Sequence, residues 1–173
     1  MTTTASGPIT TTEALLKTTL SGLAAFRTWV GATDSAGAAE HIYLEALPPD
    51  ELWADTRTVE RLKSRRPFAQ IWTAETDGFR VIRDASPTGR TASGTLIVRL
   101  ECNVPAAVRH DYAEVDRLFK NDIGDILDDL MEDSSMAITS VSVSGPVRTS
   151  PADVPALGDA QMCELTIMWG VTQ

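Results

Sequence analysis

Apolar residues recur every three or four positions through residues 109–133. Tyr112, Val115, Phe119, Ile123, Ile126 and Leu130 fall on one stripe of a helix, and Leu118, Leu127 and Met131 widen it. The remaining positions are crowded with acids: Asp111, Glu114, Asp116, Asp122, Asp125, Asp128, Asp129, Glu132 and Asp133. The pattern predicts one long amphipathic helix with an acidic outer face. On either side of it the period changes to two. Residues 95–103 place Leu96, Val98, Leu100 and Cys102 inward against Arg99 and Glu101 outward, and residues 161–169 put Cys163, Leu165, Ile167 and Trp169 on one side. Residues 68–74 and 79–84 read as two further strands, and the Asp77-Gly78 pair between them predicts a hairpin turn. Residues 136–144 are β-branched and Ser-rich, and their alternation slips at Thr139-Ser140, which predicts a bulge or burial of both faces.

Upstream, residues 1–10 form a flexible arm in this reading, and 11–173 a single domain. Thr10-x-x-Glu13 has capping-box spacing ahead of Leu16, Leu20 and Leu23, so a helix is predicted over 11–21, with Gly22 weakening its continuation. Residues 23–30 fit a second short helix or an extended segment, and Asp34 could open one helical turn. Residues 41–47 read as a first strand, with Ile42 and Leu44 on one face and Tyr43 on the other, halted by Pro48-Pro49. Residues 51–66 read as a surface loop with a helical piece that ends before Pro67. Residues 85–94 and 145–160, rich in Gly, Pro and small polar residues, are expected to be long connections. The sum is an α+β fold: a mostly antiparallel sheet of about five or six strands, a long amphipathic helix on one face and a shorter N-terminal helix.

Composition narrows the function more by exclusion than by motif. A chain of 173 residues fits one domain, and a domain of that size buries about 70% of its unfolded surface. The formal net charge of −9 argues against non-specific nucleic-acid binding and against anionic membranes. No apolar run approaches the roughly 20 residues that span a bilayer. Residues 1–12 carry neither the basic nor the apolar region of a signal peptide, so the expected compartment is a cytoplasm.

Chemistry is sparse. His41 and His110 are the only histidines, too few for a metal cluster or proton relay. His41, opening a strand, is expected to be a structural histidine. Cys102 and Cys163 sit inside strands as small buried hydrophobes, and two cysteines without nearby histidines make no structural zinc site. No phosphate loop, nucleophile elbow, calcium loop or zinc helix motif is present. No catalytic residue, metal or cofactor is therefore expected. The positive cluster is Arg57, Arg61, Lys63, Arg65 and Arg66. Opposite charge clusters in one chain suggest contacts between subunits, with Arg61, Lys63, Arg65 and Arg66 of one copy meeting Asp125, Asp128 and Asp129 of the next. Trp53, in a polar stretch after two prolines, is the tryptophan expected at a contact.

The order of elements, with Arg117-Leu-Phe-Lys-Asn-Asp-Ile-Gly-Asp-Ile-Leu-Asp-Asp-Leu130, residues 138–147 and Cys163-Glu-Leu-Thr-Ile-Met-Trp-Gly170, resembles the tail terminator (tail completion) proteins of long-tailed bacteriophages over residues 13–170. The resemblance implies a virion structural protein, not an enzyme, that forms a six-membered ring on the tail tube at the tail–neck junction after synthesis in the host cytoplasm. Its partners would be copies of itself, the tube protein and the head-side connector, with DNA passing unread through the lumen. The basic 51–66 segment departs from the family pattern. A head–tail connector or stopper is the alternative within this class. A small ligand-binding or enzymatic α+β domain is the alternative outside it, and a deep pocket with converging polar groups would favour that reading.

Overall fold

The computed structural model describes residues 8–44, 65–76, 78–83, 90–149 and 160–172. Within them the chain forms helices α1 (Pro8–Gly22), α2 (Ala24–Val30), α3 (Ser35–Ala39) and α4 (Tyr112–Glu132). The strands are β1 (Ile42–Tyr43), β2 (Phe68–Thr73), β3 (Phe79–Arg83), β4 (Arg90–Asn103), β5 (Ile138–Thr149) and β6 (Ala160–Thr172). The fold is α+β, as the patterning predicts. The six-stranded sheet runs β1-β2-β4-β6-β5, with β3 also on β4; β1 is parallel to β2 and every other pairing is antiparallel.

Local chemistry accounts for the helix boundaries. Asp111 caps α4 by accepting from the Glu114 backbone N–H at 3.1 Å, and Asp34 caps α3 by accepting from Gly37 at 2.8 Å. Gly31, in the left-handed region at φ 73°, closes α2. α1 starts at Pro8, ahead of the expected boundary, so residues 8–10 belong to a helix and not to an arm. Thr10 lies inside the first turn of α1. Glu13 turns to the sheet instead, where Oε1 accepts from Thr73 Oγ1 at 2.6 Å and from the Thr73 backbone N–H at 3.0 Å.

One face of the sheet carries the core. Ala69, Ile71, Leu96, Val98, Leu100, Cys163, Leu165, Ile167 and Trp169 are buried beneath Leu16, Leu20, Phe26, Phe119, Ile123, Ile126 and Leu130 from the helices. The α4 stripe is as predicted except at its two ends: Tyr112, in the first turn ahead of the buried stripe that begins at Val115, stands 68% exposed, and Met131 stands 54% exposed.

The expected hairpin of residues 68–74 and 79–84 does not form. β2 and β3 lie end to end along the same edge of β4, pairing with residues 96–101 and 90–94 respectively. The ladder bridges the interruption, since the Ala74 N–H donates to Thr95 O at 3.0 Å and the Thr95 N–H donates to Gly78 O at 3.2 Å. Glycine is required at the join: a Cβ at Gly94 would collide with the Gly78 carbonyl oxygen and press on the Trp169 ring. Residues 90–94, read from sequence as part of a connection, are strand, which makes β4 a strand of 14 residues. Residues 145–149 likewise continue β5 instead of opening a loop. The slip at Thr139 is a bulge, with register shifts at Ile138/Ser140 and again at Ser144/Val147. In the first strand only Ile42 and Tyr43 form β1, and residues 45–47 of that predicted strand and most of the 51–66 segment lie outside the described residues.

Candidate assembly surface

The residues singled out by charge separate into several groups. Trp53, Arg61 and Lys63 lie outside the described residues. Arg65 is exposed, with its guanidinium carbon 5.2 Å from the centroid of the Tyr43 ring, a cation–π contact within the chain. Arg66 is not a surface charge. Its side chain is 1% exposed, its Nε donates to Glu101 Oε1 at 2.7 Å and its Nη1 donates to Asn103 at 3.2 Å; Arg99 Nη2 holds the other Glu101 oxygen at 3.0 Å. The expected contact between Arg66 and a neighbouring subunit is thereby corrected: a buried guanidinium must be matched inside the fold, and Glu101 matches it.

Asp129 also works within the chain. Its Oδ2 accepts from the Ala25 backbone N–H at 2.8 Å, supplying from α4 the cap that Leu23 cannot give α2. Asp125 and Asp128 remain exposed on the outer face of α4. Asp122 lies one turn from Asp125 beside Trp29; partial burial, and then the Asp125 carboxylate, raise its pKa above the usual aspartate value.

His41, Cys102 and Cys163 are each held within the fold. His41 Nδ1 lies 2.7 Å from the Pro67 carbonyl oxygen, a structural bond of the kind expected. Burial pushes the Cys102 thiol up to about 12, helped by Asp122, and pushes the Cys163 thiol up to about 12 as well. Both thiols therefore stay protonated at neutral pH and are poor nucleophiles. Among the described residues no three His, Cys, Asp or Glu side chains come together as a metal site. Among them, too, no helix is long and apolar enough to cross a membrane.

The feature that sequence reasoning missed lies between α4 and β5. The apolar stripe of α4 is wider than the surface beneath it. Val115, Phe119, Ile123, Ile126 and Leu130 reach the core, while Leu127 is half-buried and Met131 is 54% exposed on the side that overhangs β5. Leu127 borders a largely apolar cavity of about 160 Å³ whose lining includes Phe119, Lys120, Ile123, Gly124, Val143 and Cys163. Gly124 leaves open space where any other residue would place a Cβ. Val143, 46% exposed, forms the outer wall, and β5 is the last strand of the sheet, so its backbone edge borders the groove. The sequence did carry a signal: Leu127 and Met131 exceeded what one sheet-facing stripe needs.

The fold and this surface define an α+β protein in which, among the described residues, an apolar groove lies along an unpaired sheet edge. No family model matches the chain, and no curated protein matches its sequence.

Proposed function

We propose that this chain is an assembly protein that forms a ring at the end of a bacteriophage tail tube, stops tube polymerisation and joins the tube to the head-side connector. The observation that carries the reading is the groove between α4 and β5, where, among the described residues, Leu127 and Val143 are left partly uncovered beside an unpaired strand edge. Apolar surface of this kind, with the exposed Lys120 in its lining, suits burial against another protein. The element order noted in the sequence supplies the specific role. In this reading the protein works in the virion, at the tail–neck junction, and uses no catalytic residue, metal or cofactor. A net charge of −9 fits a ring through which DNA slides without being held.

Native mass measurement of the purified protein, alone and with tube protein, tests the proposal. The expected result is a closed homo-oligomer, with tube polymerisation arrested at substoichiometric addition. A strict monomer at every concentration, with no effect on tube growth, rejects it. Binding to the connector without binding to tube ends would move the role to a stopper.

A further inference from the structure

We infer that the groove between α4 and the β5 edge takes up an extended segment of another protein, one that carries a single carboxylate two residues from a leucine- or phenylalanine-sized side chain. The inference rests on the assembly reading above and names the chemistry of the partner. Among the described residues β5 pairs with β6 alone, so its other backbone edge is unpaired. Exposed edges are normally blunted by charge, proline or shortness. Residues 138–144 of β5, Ile-Thr-Ser-Val-Ser-Val-Ser, carry neither charge nor proline, and Ser140, Ser142, Val143 and Ser144 are exposed. A strand added here places every second side chain on the α4 side of the sheet. Val143, in register with the buried Leu165, marks that side.

There the incoming chain meets one flank of α4. Lys120, Gly124 and Leu127 recur at intervals of four and three residues, so they share that flank, and all three line the cavity with Val143. Gly124 leaves open space where a Cβ would sit. The cavity of about 160 Å³ compares with the roughly 150 Å³ that admits benzene in an apolar core, so it takes one leucine or phenylalanine side chain. Lys120 is the one cation among the lining residues; it is exposed, and among the described residues it makes no ion pair. Four helical residues separate it from Gly124, a rise of about 6 Å. Two residues of an extended strand span about 6.8 Å and return to the same face. A carboxylate two residues from the apolar anchor therefore reaches Lys120.

Charge also selects against a second copy of this chain. Its described edge strands β1, β3 and β5 contain no acid, and β3, Phe-Arg-Val-Ile-Arg, would set two arginines near Lys120. The net charge of −9 disfavours a partner with more than the one acid that Lys120 can match.

Two end-capped peptides, Thr-Thr-Leu-Thr-Glu-Thr-Thr and its reverse, cover both strand directions; controls carry lysine for glutamate or alanine for leucine. Each is titrated against the full chain to millimolar concentration by fluorescence anisotropy, and hydrogen exchange is followed on the complex. At least one glutamate peptide is expected to bind about fivefold more tightly than its two controls and to slow exchange in residues 138–144. Lys120→Glu should invert the order of the glutamate and lysine peptides, and Gly124→Leu, which fills the space for the anchor, should abolish binding. Circular dichroism checks that both variants fold. Equal affinity for the glutamate and lysine peptides, an order unchanged in Lys120→Glu, unaltered exchange at 138–144 or no binding at all overturns the inference. Slowed exchange at 138–144 on concentrating the protein alone gives the edge to a second copy and overturns it too. A chain that fails these tests yet still arrests tube growth keeps the assembly reading; one that does neither loses both.

Discussion

At the residue scale, the buried Arg66–Glu101 pair shows how strongly location changes what a charge is worth. An exposed ion pair contributes about 0–1 kcal/mol. Truncating one partner of a buried pair costs about 3–5 kcal/mol, because the other charge is left without a match. Arg99 still reaches Glu101, so Arg66→Leu should cost about 3 kcal/mol in urea unfolding; a loss below about 0.5 kcal/mol would mean that the pair is open to solvent. Asp122 gives a prediction of opposite sign. Its raised pKa means that the fold disfavours the charged form, so the penalty is fully present above that pKa and fades as pH falls through it. Asp122→Asn should therefore raise Tm at pH 7, with the gain shrinking in acid. A gain that is constant with pH would trace to packing and not to ionisation.

At the element scale, α4 tests whether its glycine serves the fold. Gly124 sits mid-helix with open space where a Cβ would go, and replacing glycine by alanine in a helix is worth about 0.5–1 kcal/mol. Gly124→Ala should raise the unfolding free energy by about that amount; a loss would show that the helix packs more tightly there than the structure indicates. α4 was legible in the sequence because its evidence is local: a 3.6-residue stripe and an acidic outer face both lie within the segment. The inward alternation of β4 and β6 was legible for the same reason. Strand partners were not. Asp77-Gly78 is a sound hairpin signal, but β2 and β3 both find β4, and only the close approach of Gly78 and Gly94 in space decides between these pairings. Arg66 was misread in the same way, since its partner lies 35 residues away, on a strand position that alternation assigned to the outer face. The groove beside β5 escaped because strand order, which makes β5 an edge, is not written in any local pattern.

For the whole molecule, the question is whether stability and association can be separated. The core residues of α4 serve the fold, whereas Met131 and Val143 already meet solvent. Met131→Ser should change unfolding free energy by no more than about 0.5 kcal/mol. It should nevertheless weaken self-association measurably in sedimentation; equal losses in both would show that the residue belongs to the core. The end-to-end arrangement of β2 and β3 has a consequence for the length of the chain itself. Because each half is anchored to β4 on its own, extra residues placed between Glu75 and Thr76 would lengthen the surface excursion without displacing either register, which makes this junction a natural position for an inserted tag or epitope.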